Sequence, residues 1–169
     1  MEYGYVGKCR KEKILLLFEF NQMIVDIDVE ATRKYYKQAE MINDCSCSGC
    51  RNYRQNMEQC NNNIKEFFSS LGIDNMNFIT EIIPLDVSRD EYDKERCIAY
   101  TGFYHIVGRI IENKKTKHEQ EWIKLDTNFA VIVHDDIDFL PDGFPKPYLQ
   151  VDISVYVPWV LDEHNEYII

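Results

Sequence analysis

Between positions 149 and 157 every second residue is apolar: Leu149, Val151, Ile153, Val155 and Val157, with Gln150, Asp152, Ser154 and Tyr156 in between. A strict period of two gives a strand with one buried face and one wet face, which belongs to an antiparallel sheet. Pro158 has no N–H to offer and stops the ladder. Three further stretches, 78–85, 97–111 and 121–134, are rich in Ile, Val, Tyr and Phe and read as its partner strands.

Ahead of these strands the spacing is helical. Asp28 is placed as an N-cap, and Ala31, Tyr35, Tyr36, Ala39 and Ile42 recur every three or four residues, predicting a helix over 29–42. Cys50, Tyr53, Met57, Cys60, Ile64, Phe67, Phe68 and Leu71 form a longer stripe, predicting one amphipathic helix over 50–71 that ends at Gly72. Asn61, Asn62 and Asn63 are its weak point, because Asn favours caps and turns. Helices followed by strands predict an α+β architecture, with N-terminal helices packed on a mainly antiparallel sheet, rather than a doubly wound one.

Residues 23–169 are read as one α+β domain. Residues 1–22 have two readings: a dispensable extension with Met23 as an alternative start, or an edge hairpin whose turn is the weak Asn21-Gln22 signal. The apolar run Ile14–Phe18 is ended by Glu19, too short for an export segment, and no run reaches membrane-span length. The expected location is the cytoplasm, where the six cysteines serve as thiols or metal ligands rather than disulfides.

The net charge of −10 argues against nucleic acid as a partner, since phosphate binding needs a basic face. The short basic runs at 8–13 and 114–117 are read as solvated loops. Phosphate loops, dinucleotide fingerprints, nucleophile elbows and His-Glu-x-x-His pairs do not occur.

The chemistry-bearing pattern is Cys45-x-Cys47-x-x-Cys50, followed by Arg51 and the start of a helix. Closely spaced thiolates suit zinc, and a helix N-terminus with a cationic neighbour lowers a thiol pKa. Cys60 lies about 15 Å from Cys50 along a continuous helix, whereas two ligands of one zinc sit roughly 4 Å apart. Unless the helix breaks near Asn61, a fourth ligand falls to Cys97, Cys9, a His or solvent. Cys97 and His105 are about 26 Å apart on a single strand, too far for a dyad, so His105 reads as a hydrogen-bonded sheet residue. The acidic stretch from His134 to Asp138, with Asp142-Gly143, reads as a solvated turn. Tyr35, Tyr36 and Trp159 read as core or rim aromatics.

Five stretches together resemble a family of uncharacterised Firmicutes proteins. They run from Asp26 to Tyr36, from Cys45 to Tyr53 (Cys-x-Cys-x-x-Cys-Arg-Asn-aromatic), from Phe67 to Asp74, from Gly102 to Gly108, and from Val157 to Glu163 (with its Pro-Trp-Val-Leu-Asp ending). The resemblance begins near Met23 and implies a bacterial cytoplasmic protein, without implying an activity. The first functional expectation is a non-catalytic binding or interaction module whose partner is another protein. The alternative is a zinc-binding or redox-active site at Cys45, Cys47 and Cys50.

Overall fold

A computed structural model of the chain describes residues 6–10, 13–20, 22–39, 43–86, 97–114 and 121–168. Its architecture is α+β, but strands come first: β1 (Val6–Arg10), β2 (Lys13–Phe20) and β3 (Met23–Ile27) precede every helix. Gln22, at φ 73°, leads into β3, and β2 pairs antiparallel with β3 from Leu16↔Ile27 to Phe20↔Met23, whereas Asn21 of the expected hairpin turn lies outside the described residues. The helices-first order fails because a five-residue apolar run such as residues 14–18 carries no period that separates strand from extension.

Helix α1 (Val29–Gln38) starts at Asp28, whose carboxylate accepts the Ala31 N–H at 3.0 Å. It is shorter than the 29–42 expected from spacing: Ala39 is already extended at ψ 138°, and residues 40–42 lie outside the described chain. The single helix expected over 50–71 is two, α2 (Ser48–Gln59) and α3 (Asn62–Ser70). Cys60 and Asn61 are both extended, and the Asn61 side chain accepts the Ile64 N–H at 3.0 Å, so the asparagine caps a new helix where it would weaken a continuous one. The apolar stripe survives the break, since Tyr53, Met57, Ile64, Phe67, Phe68 and Leu71 are all buried. Gly72 closes α3 at φ 91°, and a Cβ there would meet the Val29 carbonyl at 2.5 Å.

After a short 3-10 turn (Met76–Phe78) come β4 (Glu81–Leu85), β5 (Cys97–Asn113), β6 (Ile123–Asp126), β7 (Phe129–His134) and β8 (Tyr148–Pro158). The sheet runs β1-β2-β3-β5-β8-β7-β6 with β4 also on β5, and every described pairing is antiparallel. Strand β5 organises it. One edge pairs with β8 from Cys97 to Val107; the other pairs first with β4 and then, from Gly108, with β3.

Between β4 and β3 that second edge would leave backbone groups orphaned, and buried orphans are costly. Helix α1 supplies the partners. Tyr36 Oη donates to the His105 carbonyl at 2.8 Å and accepts its N–H at 3.2 Å. Thr32 Oγ1 accepts the Val107 N–H at 2.9 Å, and the Asp28 N–H donates to the Val107 carbonyl at 2.8 Å. This explains why polar Thr32 and Tyr36 are buried, and why the Tyr35-Tyr36 pair packs against Phe144 rather than lining a ligand box.

Under α2 and α3 the core is tied by tyrosines: Tyr104 Oη donates to the Met76 carbonyl at 2.7 Å, so Tyr53 Oη must donate to Tyr104 at 2.8 Å. Among the described residues no helix is long and apolar enough to cross a membrane.

Candidate thiolate site

Helix α2 begins with a cysteine as its cap. Cys47 is extended at φ −60°, ψ 160°, and its Sγ accepts the Cys50 N–H at 3.5 Å, the role normally held by Ser or Asp. The Sγ atoms of Cys45, Cys47 and Cys50 all lie within 4.8 Å of one another. Cys45 and Cys47 are exposed, while Cys50 is 3% exposed.

The loop carrying them is held by two arginines on the helix it leads into. Arg54 donates to the carbonyls of Cys45 and Asn43, at 2.7 Å each. Arg51 donates from Nε to the Ser46 carbonyl at 3.0 Å and from its other end pairs with Glu163. Gly49 is required by close approach: a Cβ there would come within 2.8 Å of Pro84 Cγ and of Tyr167 Oη.

The C-terminal segment is stitched onto this turn. Asn52, fully buried, donates from Nδ2 to the Tyr100 hydroxyl at 3.0 Å and to the Pro158 carbonyl at 3.1 Å, and its Oδ1 accepts the Val160 N–H at 2.8 Å. Tyr100 passes the chain on to the Gly49 carbonyl at 2.9 Å. Ser48 donates to Glu166 at 2.5 Å, and the Trp159 ring lies 6.2 Å from Tyr167. The cysteine stretch and the Pro-Trp-Val-Leu-Asp ending, far apart in sequence, therefore form one structural unit.

Burial raises the Cys47 thiol, but the Cys50 amide and the hydrogen bonds from Cys45, Cys50 and Tyr167 outweigh it and hold Cys47 below the usual thiol range. Burial, with Cys47 and Cys45 as acceptors, pushes Cys50 up to about 12. Burial likewise raises Tyr167, and the neighbouring Cys47 adds to the rise.

The other candidates fall elsewhere. Cys60 sits at the far end of α2 with its Sγ 3.8 Å from Met76 Sδ. Although the helix does break at Asn61, the break follows all of α2 and does not return Cys60 to the cluster. Cys97 opens β5 opposite Pro158. No other described His, Cys, Asp or Glu joins the three thiols; the Cys9 side chain lies outside the described residues.

His105 is a sheet histidine held at both nitrogens: Nε2 donates to the Asp138 carbonyl at 3.0 Å, which leaves Nδ1 to accept from Thr80 Oγ1 at 3.0 Å. The acidic stretch is structural too. His134 pairs with Asp152 at 2.9 Å, and the Asp138 N–H donates to Gln150 at 2.7 Å.

Burial drops His105 to about 4, with the Asp138 carbonyl opposing. The unfolded chain then binds a proton that the folded one refuses between about pH 6.5 and that value, so stability falls as pH falls through this window. The expected loss is roughly 3 kcal/mol beyond that of His105→Gln over the same interval, read by denaturant titration at each pH. Parallel curves for the two proteins would show that the imidazole is not the cause.

A cleft of about 430 Å³ lies at the opposite end of α2 and includes Met57, Glu58, Lys65, Asp74 and Met76 in its lining. It holds no thiol or imidazole.

The sequence marks the three thiols but not Arg54, Tyr100 and Tyr167, which build their setting. Asn52 does carry one signal: it is the amide of the Cys-Arg-Asn-aromatic stretch, set between Cys50 and Tyr53 of the apolar stripe, on a face that turns out to be buried.

Fold and site together define an α+β domain with a scaffolded three-cysteine cluster at a helix N-terminus. No protein-family model matches the chain, and neither a curated protein nor a solved structure matches it.

Proposed function

We propose that the protein is a metal-binding interaction module, holding one zinc ion through the thiolates of Cys45, Cys47 and Cys50. The observation that carries this reading is the mutual approach of the three Sγ atoms within 4.8 Å. The donor set fits: zinc takes short-spaced thiolates, and its charge deprotonates thiols that coordinate it. The rest of the acidic domain, at net charge −10, then serves to present this site to a protein partner.

Metal held by the folded chain contributes to its folding free energy. Protein purified without chelators is therefore expected to carry about one zinc per chain by elemental analysis, and chelation is expected to lower its melting temperature. Cys47→Ser should lose the metal and Cys60→Ser should keep it. A chain that neither carries zinc nor retains added zinc overturns the reading.

A second reading, a dithiol redox site, is favoured by one observation. Cys47 and Cys50 span the first turn of α2, one thiol exposed and the other buried. Zinc-free protein that forms a Cys47–Cys50 disulfide with glutathione disulfide, found by peptide mapping, would support it.

A further inference from the structure

The donor set at the N-terminus of α2 is all sulfur and, among the described residues, has three members. A zinc site closed by protein alone has four. Thiolates select soft acceptors. Trivalent arsenic is soft and complete with three sulfurs, because its lone pair occupies the fourth corner of the coordination sphere.

Charge points the same way. Three thiolates on a dication leave a net negative complex, and Cys50 is a buried residue, where an anion is poorly solvated. A trithiolate of arsenic(III) is neutral. The two exposed thiols, Cys45 and Cys47, give the incoming species a route to the buried third.

We propose that Cys45, Cys47 and Cys50 form a binding site for trivalent arsenic, taken up as arsenous acid; this deepens the thiolate-site reading and rests on it. The exchange balances without redox change. Three As–O bonds break, three As–S bonds form, and each thiol proton leaves with a hydroxyl as water, giving three waters per arsenic. The oxidation state of arsenic and of sulfur is unchanged. Arg51 and Arg54, which fix the carbonyls of Ser46 and Cys45, hold the loop in place while the ligand changes.

The test is titration of the full chain with sodium arsenite, once as reduced metal-free protein and once zinc-loaded. Expected are one arsenic per chain in the intact mass, loss of three reactive thiols per arsenic, and release of zinc to a chromogenic chelator. Cys60→Ser should behave as wild type. Cys45→Ser changes an exposed side chain, so its circular dichroism should match wild type while its arsenite affinity falls at least about tenfold, the cost of a two-thiol complex. Zinc binding at one per chain without arsenite binding overturns the inference and leaves the zinc reading standing. Arsenite binding that is equally tight in Cys45→Ser also overturns it. Binding of neither removes the zinc reading as well.

Discussion

A chain that starts at Met23 is expected to lose cooperative unfolding, or to melt at least about 10 °C below the full chain. The reason is the place of β2. It covers the whole length of β3, from Leu16↔Ile27 to Phe20↔Met23, and β3 carries the buried Met23, Val25 and Ile27. Phe20 is itself 3% exposed, edge-on to Phe67 of α3 at 6.2 Å. Removing the segment takes away one large buried side chain, worth roughly 1.5–3 kcal/mol, and a run of strand hydrogen bonds at roughly 1 kcal/mol each. It also bares β3 as an edge strand, which invites aggregation. Far-UV circular dichroism melts of the two chains decide the matter. A truncated chain with an unchanged, cooperative melt would restore the alternative, in which residues 1–22 are a dispensable extension.

Leu71→Ala is expected to cost about 2–5 kcal/mol. Leu71 is the C-cap of α3, fully buried, with Phe68 and Ile73 beside it in sequence and equally hidden. Its backbone N–H is already committed to the Phe68 carbonyl at 3.1 Å, so the chain cannot easily close over the cavity left by the missing side chain. Against a total stability of roughly 5–15 kcal/mol, such a loss is a large fraction. Guanidinium titration measures it. A change under about half a kcal/mol would mean that this end of the stripe faces water.

Much of the fold was legible because its signals are periodic. The alternation from Leu149 to Val157 is β8, and the stripe from Tyr53 to Leu71 is the buried face of α2 and α3. What was not legible has physical causes. The break at Cys60-Asn61 leaves the apolar spacing intact, so period alone cannot reveal it; only the capping preference of Asn hints at it. The first strands lacked a strong turn residue, since Gln22 adopts a positive φ that Gly or Asn adopts more readily.

At the site, the Cys45, Cys47 and Cys50 spacing was readable, whereas its supports come from residues remote in the chain. Tyr100 lies on β5 and Tyr167 near the C-terminus, and nothing local in either marks it as a neighbour of Gly49. Likewise the burial of Thr32 and Tyr36 follows from a stretch of β5 with a strand on one edge only, a feature of topology rather than of the helix that satisfies it.

X-ray absorption at the zinc edge of the zinc-loaded full chain tests most directly whether Cys45, Cys47 and Cys50 hold a metal at the N-terminus of α2. Three sulfurs near 2.3 Å and one lighter atom are the expected first shell, with Cys60→Ser giving the same spectrum. A shell of nitrogen and oxygen only, or one that persists unchanged in Cys47→Ser, would contradict it.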